Sequence, residues 1–327
     1  MITASKTYLD LVNDCDQFPY DDPLAGVAEH WSSIYCFFLP YDSRHHGLML
    51  SSIVQKMPWT EEFQINHDAR TVHLVPKDKS DLAESCTDAL SKQVQACIDS
   101  EDCFHVIDRR HSEPYPIIGA NFPVHLERYA STLFGIISRG AHLTAYTKTS
   151  EGMKIWVPRR SPKCFTYPNC LDTTVAGGIS LEDPFECIVR ESDEEASLSE
   201  DLVRKNAIAC GCISYVGLND ARGGGEMGLI SPDIMYIYDL ELPIEVICHQ
   251  NDDEVKDFTL MTIEEVKKGL AEGEFKKNSA IVMIDFFIRH GIITVENEPN
   301  YAEIVARIHR RLPLPTTASH YGVIDTV

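Results

Sequence analysis

Apolar residues in the first third of the chain form short strand-like runs and one helical run. The aromatic run Ile34–Phe38 and the segment Arg70–Val75 have the β-branched and aromatic composition of strands. Between Leu82 and Ile98 the apolar positions instead recur every three or four residues, which predicts an amphipathic helix. We therefore expect a small α/β domain over residues 1–125, ending in the proline-rich connection 113–123.

Strand-like and helix-like patterns alternate after residue 125. The strand candidates are Gly140–Thr147, Lys154–Val157, Ile213–Val216, Ile234–Leu240 and Phe258–Met261. Helices are predicted from Pro184, after the N-cap Asp183; from the capping box formed by Thr262 and Glu265; and over the strongly apolar segment Asn278–His290. This alternation predicts a second α/β domain over residues 126–312 and a loosely held tail at 313–327.

The composition is that of an ordinary globular protein. The chain has 327 residues, of which 44% are hydrophobic and 24% charged. It has no secretory opening and no run of about 18 apolar residues, so we expect a cytoplasmic protein that does not enter membranes. Eleven cysteines, an odd number without paired Cys-x-x-Cys spacing, predict free thiols rather than disulfides or a zinc site.

The formal charge of −21 changes the range of expected partners. Proteins that follow nucleic-acid phosphates rely on clustered Lys and Arg, so a nucleic-acid partner is not expected. A small-molecule substrate is favoured instead. An acidic protein binds a phosphorylated ligand when a divalent cation reverses the local charge, so the acidity also indicates a metal. The charge alone leaves the oligomeric state open.

The helix predicted from Pro184 carries the most informative cluster of charges. Glu191, Glu194 and Glu195 stand at positions i, i+3 and i+4, and a helical wheel places them with Cys187 opposite the apolar face. Neighbouring carboxylates repel each other, and a divalent cation reverses that penalty. Carboxylate and phosphate oxygens are the ligands that Mg²⁺ prefers. The alternative that the spacing leaves open is a solvated acidic face.

The same segment resembles the Nudix box. Arg190-Glu191-x-x-Glu194-Glu195 matches its core, Glu182 lies eight residues before the arginine, and Gly177 and Gly178 resemble its glycines. The interval from Gly178 to Glu182 is two residues shorter than usual, so Glu182 has a secondary role. The resemblance implies that Glu191, Glu194 and Glu195 bind Mg²⁺, with Mn²⁺ as the alternative, and that Arg190 orients them.

Similarity extends to both sides of the box. It includes the segments Lys154–Ser161, Leu171–Gly178, Tyr238–Pro243 and Ile284–Gly291. These segments resemble the Nudix proteins associated with thiamine pyrophosphokinase. The resemblance implies a Nudix α/β/α sandwich with a mixed sheet, preceded by a smaller N-terminal α/β domain of unassigned function. It also implies metabolite repair, in which thiamine diphosphate and its damaged oxo and oxy analogues are hydrolysed to the monophosphate and phosphate.

The basic, aromatic segment before the box is the expected entry for such a substrate. Cations that can meet the diphosphate are Lys154, Arg159, Arg160 and Lys163. Trp156 or Tyr167 can stack on a cationic ring, and Gly177 and Gly178 complete the predicted substrate-binding set. The alternative for each is structural: Trp156 as a core residue of a strand, and the arginines paired with surface acids.

We expect water to attack a phosphorus while Glu254, or a glutamate of the box, takes the proton. The role of Glu254 is implied by the resemblance, and the alternative is a plain acidic loop. Two other functions remain open at this stage. One is a Nudix pyrophosphatase that acts on nucleotide diphosphates, and the other is a non-catalytic Nudix-like binding protein.

Overall fold

The computed structural model describes residues 5–20 and 29–319. Before residue 138 the elements are α1 (Tyr8–Cys15), a 3-10 helix (Glu29–Ser33), β1 (Ile34–Phe38), β2 (His45–Leu50), α2 (Ser51–Lys56), β3 (Phe63–Asn66), β4 (Thr71–Leu74), α3 (Leu82–Asp99), β5 (Pro114–Pro116), β6 (His125–Glu127) and α4 (Arg128–Phe134). They are followed by β7 (Ser138–Thr149), β8 (Gly152–Arg160), β9 (Val175–Gly178), α5 (Pro184–Ala196), α6 (Glu200–Asn206), β10 (Ile208–Leu218), β11 (Ile230–Glu241), β12 (Val255–Thr262), α7 (Ile263–Ala271), α8 (Lys277–Arg289) and α9 (Tyr301–Ile308). The strands and helices predicted from the periodicity are all present, which confirms the α/β class.

The chain divides into two compact units that are each discontinuous in sequence. The first unit is Met1–Gln17, Arg139–Tyr215 and Asp233–Arg311. The second is Phe18–Ser138, Val216–Pro232 and Leu312–Val327. The boundary expected at residue 125 falls inside the second unit, and α1 belongs to the first. The compact units and the expected domains therefore divide the chain differently.

The second unit is built on a four-stranded sheet in the order β2-β1-β4-β3. Its β1 and β4 are parallel, and the other pairs are antiparallel. Because side chains alternate along a strand, Phe37 faces inward, where its ring lies 5.1 Å from that of Phe134. Leu90 and Val94 of α3 enter the same core. The tail expected to be loose begins in this unit, but Leu314 is buried; the part at 320–327 lies outside the described residues.

The first unit has a six-stranded sheet with helices on both faces. The strand order is β10-β11-β7-β8-β12, and β9 pairs with β7. Alternation along β7 sends Ala141, Leu143 and Ala145 into a core with α5. Tyr146 enters the opposite core, which α1, α8 and α9 cover. The sheet therefore lies between two helical layers and presents β9 to α5.

Local signals set the helix ends of this unit. Helix α5 has Asp183 as N-cap and Pro184 at its first position, as predicted, and its C-cap Ser197 adopts a left-handed φ of 54°. The capping box at Thr262 is also present. The eleven cysteines are free, which confirms the predicted thiols. Across residues 5–20 and 29–319, no helix combines the length and apolar character needed to cross a membrane.

Candidate active site

Helix α5 lies so close to β9 that a glycine is required between them. A Cβ atom on Gly177 would be 2.6 Å from the Cys187 sulfur and 2.6 Å from both Cγ and Oε1 of Glu191. Strand β9 is held in place by its register with β7, which pairs Gly177 with Ala141. The absent side chain at residue 177 therefore lets the Glu191 carboxylate rest on the strand backbone.

Glu195 lies one helical turn beyond Glu191 and is buried, with 6% of its surface exposed. Its Oε2 accepts a hydrogen bond of 2.9 Å from the backbone N–H of Ala176. Burial raises the pKa of Glu195 well above its usual value, and the charges of Glu191, Asp172 and Glu254 raise it further, while the Ala176 bond lowers it. A buried carboxylate among other carboxylates favours a cation beside it.

The surroundings of Glu191 also disfavour its charged form, but less strongly than those of Glu195. Burial raises the pKa of Glu191 to about 7, with additional raising by Glu194 and Glu254, although Arg190 opposes the shift. Its side chain is 16% exposed, so it stands between the buried Glu195 and the surface. The Glu191 carboxylate therefore lies nearer the solvent than the Glu195 carboxylate.

Arg190 holds three carboxylates at the rim of the site. Its guanidinium lies 2.8 Å from Glu182, 2.9 Å from Glu191 and 2.7 Å from Glu194. Glu194 is the most exposed of the three, with 51% of its side chain accessible to solvent. Arg190 thus orients Glu191 while keeping Glu182 and Glu194 at the surface.

The helical wheel of α5 needs one correction. We expected Cys187, Glu191, Glu194 and Glu195 to share a face opposite the core. Cys187 and Glu195 are instead buried, because β9 covers that side of the helix. Only Glu194 is open to solvent, so two of the three predicted metal carboxylates line the interior.

The loop before β12 brings a further carboxylate to the same place. Asn251 donates a 2.9 Å hydrogen bond to the carbonyl of Asp193 at the end of α5. The backbone N–H of Ser161 donates to the Glu254 carbonyl at 2.8 Å, which ties the loop to the end of β8. The charge of Glu254 adds a small part to the raised pKa of both Glu191 and Glu195.

Several known proteins are similar to this chain in sequence. A Saccharomyces cerevisiae protein, named Uncharacterized protein YJR142W, is 32% identical over 324 residues, covering 95% of this chain and 92% of that protein. Two Arabidopsis thaliana proteins, named Nudix hydrolase 20 and Nudix hydrolase 24, both chloroplastic, are 33% and 32% identical over 213 and 208 residues. The chain is thus similar to named Nudix hydrolases over part of its length. It spans 54% of the length of each Arabidopsis relative, and no family model matches it.

A buried polar cluster centred on Asp172 was not predicted from the sequence. Arg160, at the end of β8, pairs with Asp172 at 3.1 Å, and the hydroxyl of Ser279 on α8 donates to the same carboxylate. Burial lowers the pKa of Arg160, but the charges of Asp172, Cys164 and Glu195 outweigh it and raise that pKa overall. His142 lies 2.8 Å from the hydroxyl of Thr173 in this cluster. The run of polar residues Asp172, Thr173 and Thr174 between apolar neighbours is the sequence signal that marks it.

The other residues predicted to bind substrate lie in different surroundings, and several pair with acidic side chains. Lys154 pairs with Glu151 at 2.6 Å, Arg159 with Glu274 at 3.3 Å, and the exposed Lys163 with Asp253 at 3.8 Å. Trp156 is buried in the core with α5, so it takes the structural alternative, and its indole N–H has no hydrogen-bond partner among the described residues. Tyr167 is half-buried with a φ of 47°, and Gly178 is exposed at the end of β9. The charge of Glu195 is among those that raise the pKa of Arg160.

The donor set of the box fits a hard divalent cation. Among the described residues, no three His, Cys, Asp or Glu side chains are grouped closely enough to hold a metal ion by themselves. Glu191 and Glu195 supply two inward carboxylates. Mg²⁺ typically takes one or two protein carboxylates and fills its remaining positions with water and substrate phosphate oxygens. The pair is therefore suited to Mg²⁺ that arrives with a phosphorylated substrate.

Proposed function

We propose that this chain is a Mg²⁺-dependent hydrolase of organic diphosphates. The observation that carries the proposal is the pair formed by the buried Glu195 and the half-buried Glu191, which lies against Gly177 of β9; their charges raise each other's cost of burial. Keeping two like charges out of water is unfavourable, and a divalent cation with its phosphate ligands offsets that cost. The similarity to the two Arabidopsis Nudix hydrolases supports the same reaction.

Each protein group has a defined part in the proposed reaction. Glu191 and Glu195 would hold Mg²⁺, and the bound ion would supply charge neutralisation and activation of water. Arg190 keeps Glu191 in position, and Arg160 binds a phosphate oxygen. Glu254 takes the proton of the attacking water as the new P–O bond forms and the bridging P–O bond breaks. The products are an organic monophosphate and phosphate.

We propose thiamine diphosphate and its oxo and oxy analogues as the substrates. Support for this choice comes from the segments Lys154–Ser161 and Leu171–Gly178, which resemble the thiamine-associated Nudix proteins. Because Trp156 is part of the core, Tyr167 is the remaining candidate from the predicted pair for stacking on the thiamine ring. A cytoplasmic role in metabolite repair is part of this proposal.

A substrate panel with phosphate detection tests the proposal. The full chain is incubated with thiamine diphosphate, oxythiamine diphosphate, ADP and a dinucleotide, with millimolar Mg²⁺, with Mn²⁺ or with EDTA. For the dinucleotide, whose cleavage gives two monophosphates, phosphate is released from the products by a phosphomonoesterase before detection. We expect metal-dependent phosphate release that is fastest with the thiamine compounds. Preference for a nucleotide would retain the hydrolase and reject the thiamine substrate. Absence of release from every compound, combined with retained binding, would indicate a non-catalytic Nudix protein.

A further inference from the structure

Asp172 is surrounded by hydrogen-bond donors on every side where contacts are described. Its Oδ2 accepts from Nη1 of Arg160 at 3.1 Å. Its Oδ1 accepts from the backbone N–H of Thr173 at 2.8 Å and from the hydroxyl of Ser279. The residue is 4% exposed. A carboxylate is the side chain that can accept from all of these donors at once.

Arg160 is held from a second direction as well. Its Nε and Nη2 donate to the carbonyl of Thr166 at 3.3 and 3.1 Å. The guanidinium is thereby fixed between Asp172 and the loop after β8, and 9% of the residue is exposed. A buried arginine loses few additional degrees of freedom when it binds a phosphate, because its planar group is already oriented.

We propose that Asp172 is a positioning residue that aims the Arg160 guanidinium at the diphosphate of the substrate. This inference rests on the proposed function, since it assigns a role within the same site. Ser279 extends the arrangement to α8, so the N-terminal turn of that helix fixes the carboxylate and the carboxylate fixes the arginine. Neither Asp172 nor Ser279 belongs to the Nudix box.

Replacing Asp172 with asparagine breaks the arrangement at one defined contact. The amide keeps one acceptor, which can serve Thr173 and Ser279, and then presents its NH₂ group to the guanidinium of Arg160. Two donors cannot bond to each other, so Arg160 is released while the size of the side chain is preserved. The neighbouring arginine offers a matched control: Arg159 pairs with Glu274 at 3.3 Å, and Glu274→Gln removes an equivalent carboxylate partner.

The experiment measures kcat, KM and binding for Asp172→Asn, Ser279→Ala and Glu274→Gln in the full chain. The substrate is the best compound of the panel, and the binding probe is inorganic pyrophosphate, followed by calorimetry. We expect Asp172→Asn to raise KM at least about tenfold with a smaller change in kcat, and to weaken pyrophosphate binding similarly. Ser279→Ala should raise KM by about threefold, and Glu274→Gln should change neither constant by more than about twofold.

Chemical rescue separates positioning from a general structural role. Free guanidinium should restore binding and turnover to Arg160→Ala when Asp172 is present, and should fail in the double variant Arg160→Ala/Asp172→Asn. Equal rescue in both backgrounds, or an unchanged KM in folded Asp172→Asn, would overturn the inference. If Asp172→Asn does not fold, the Ser279→Ala result decides. If the wild-type chain releases no phosphate, the proposed function fails, and pyrophosphate binding still tests the role of Asp172.

Discussion

Glu191 rests on the backbone of Gly177, and its Cγ and Oε1 would each lie 2.6 Å from a Cβ atom at that position. The glycine and the glutamate are fourteen residues apart in sequence, yet each sets the position of the other (191 − 177 = 14). The contact connects a strand that is fixed by β7 to a helix that is fixed by its own cap. Any side chain at residue 177 therefore displaces the carboxylate.

We expect Gly177→Ala to lower turnover strongly, with a smaller effect on the free energy of unfolding. The added methyl group pushes Glu191 away from its place against β9, and a displacement of about 1 Å in a catalytic group costs roughly a hundredfold in rate. The measurement is kcat together with the urea midpoint. Gly291→Ala is the control, because its φ of 68° makes alanine strained while no atom lies within 4 Å of the new Cβ. Equal losses of turnover in the two variants would contradict the prediction.

Glu195→Gln should reduce turnover by at least about a hundredfold without unfolding the chain. The pKa of Glu195 is raised, so the charged form destabilises the folded state, and stability is lost as the pH rises from the ordinary glutamate range through the raised value. At pH 8 without metal, the glutamine variant should therefore be at least as stable as wild type in urea. Glu194→Gln, at the exposed position, should have the smaller effect on turnover. A Glu195→Gln chain with wild-type activity would remove this residue from the site.

Arg190→Ala should weaken Mg²⁺-dependent activity through Glu191. Without the guanidinium at 2.9 Å, the pKa of Glu191 rises further above about 7, so less of it is charged at neutral pH and the pH optimum moves upward. The pH dependence of kcat/KM measures this shift. Arg204→Ala is the matched comparison, because Arg204 pairs with Glu186 and Glu200 at the surface. An unchanged pH profile in Arg190→Ala would exclude the proposed coupling.

His142→Gln should reduce the loss of unfolding free energy that occurs as the pH becomes acidic. Burial lowers the pKa of His142 to about 4 from an ordinary value near 6.5, so the folded state binds fewer protons than the unfolded state between those values. Stability contributed by neutral His142 is therefore lost as the pH falls from about 6.5 through about 4, by roughly 3 kcal/mol in total. Urea unfolding from pH 8 to pH 4 measures the difference between variant and wild type. Parallel profiles would show that His142 does not titrate in this range.

Thr262→Ala should cost about 1 kcal/mol of unfolding free energy and leave KM unchanged. The Thr262 hydroxyl accepts from the backbone N–H of Glu265, and the Glu265 carboxylate accepts from the backbone N–H of Thr262 at 2.8 Å. Thr7→Ala removes the equivalent capping box of α1 and should cost a similar amount. Urea unfolding and steady-state kinetics on both variants check the prediction, which fails if either substitution alters KM.

Local patterns in the sequence were sufficient for the elements but not for their surroundings. The periodicity located α5 and its caps, since those depend on neighbouring residues. It could not tell that β9 would cover Glu195 and leave Glu194 open, because that choice depends on a strand packed from outside the helix. The contacts of Asp172 could not be predicted for the same reason. Its partners Arg160 and Ser279 lie 12 and 107 residues away in the sequence. Contacts of that kind are set by topology rather than by spacing.

The position of α1 determines the order in which the first unit can mature during synthesis. Leu11 and Val12 are synthesised long before Ile281 and Ile304, which belong to the core that buries them. Most residues of the second unit's core are synthesised in the meantime, from Tyr35 to Ile136, and Leu229 joins that core later. The apolar side of nascent α1 therefore stays exposed until its core partners are made. Slowing translation over residues 139–280 should lengthen the time for which chaperones can bind α1.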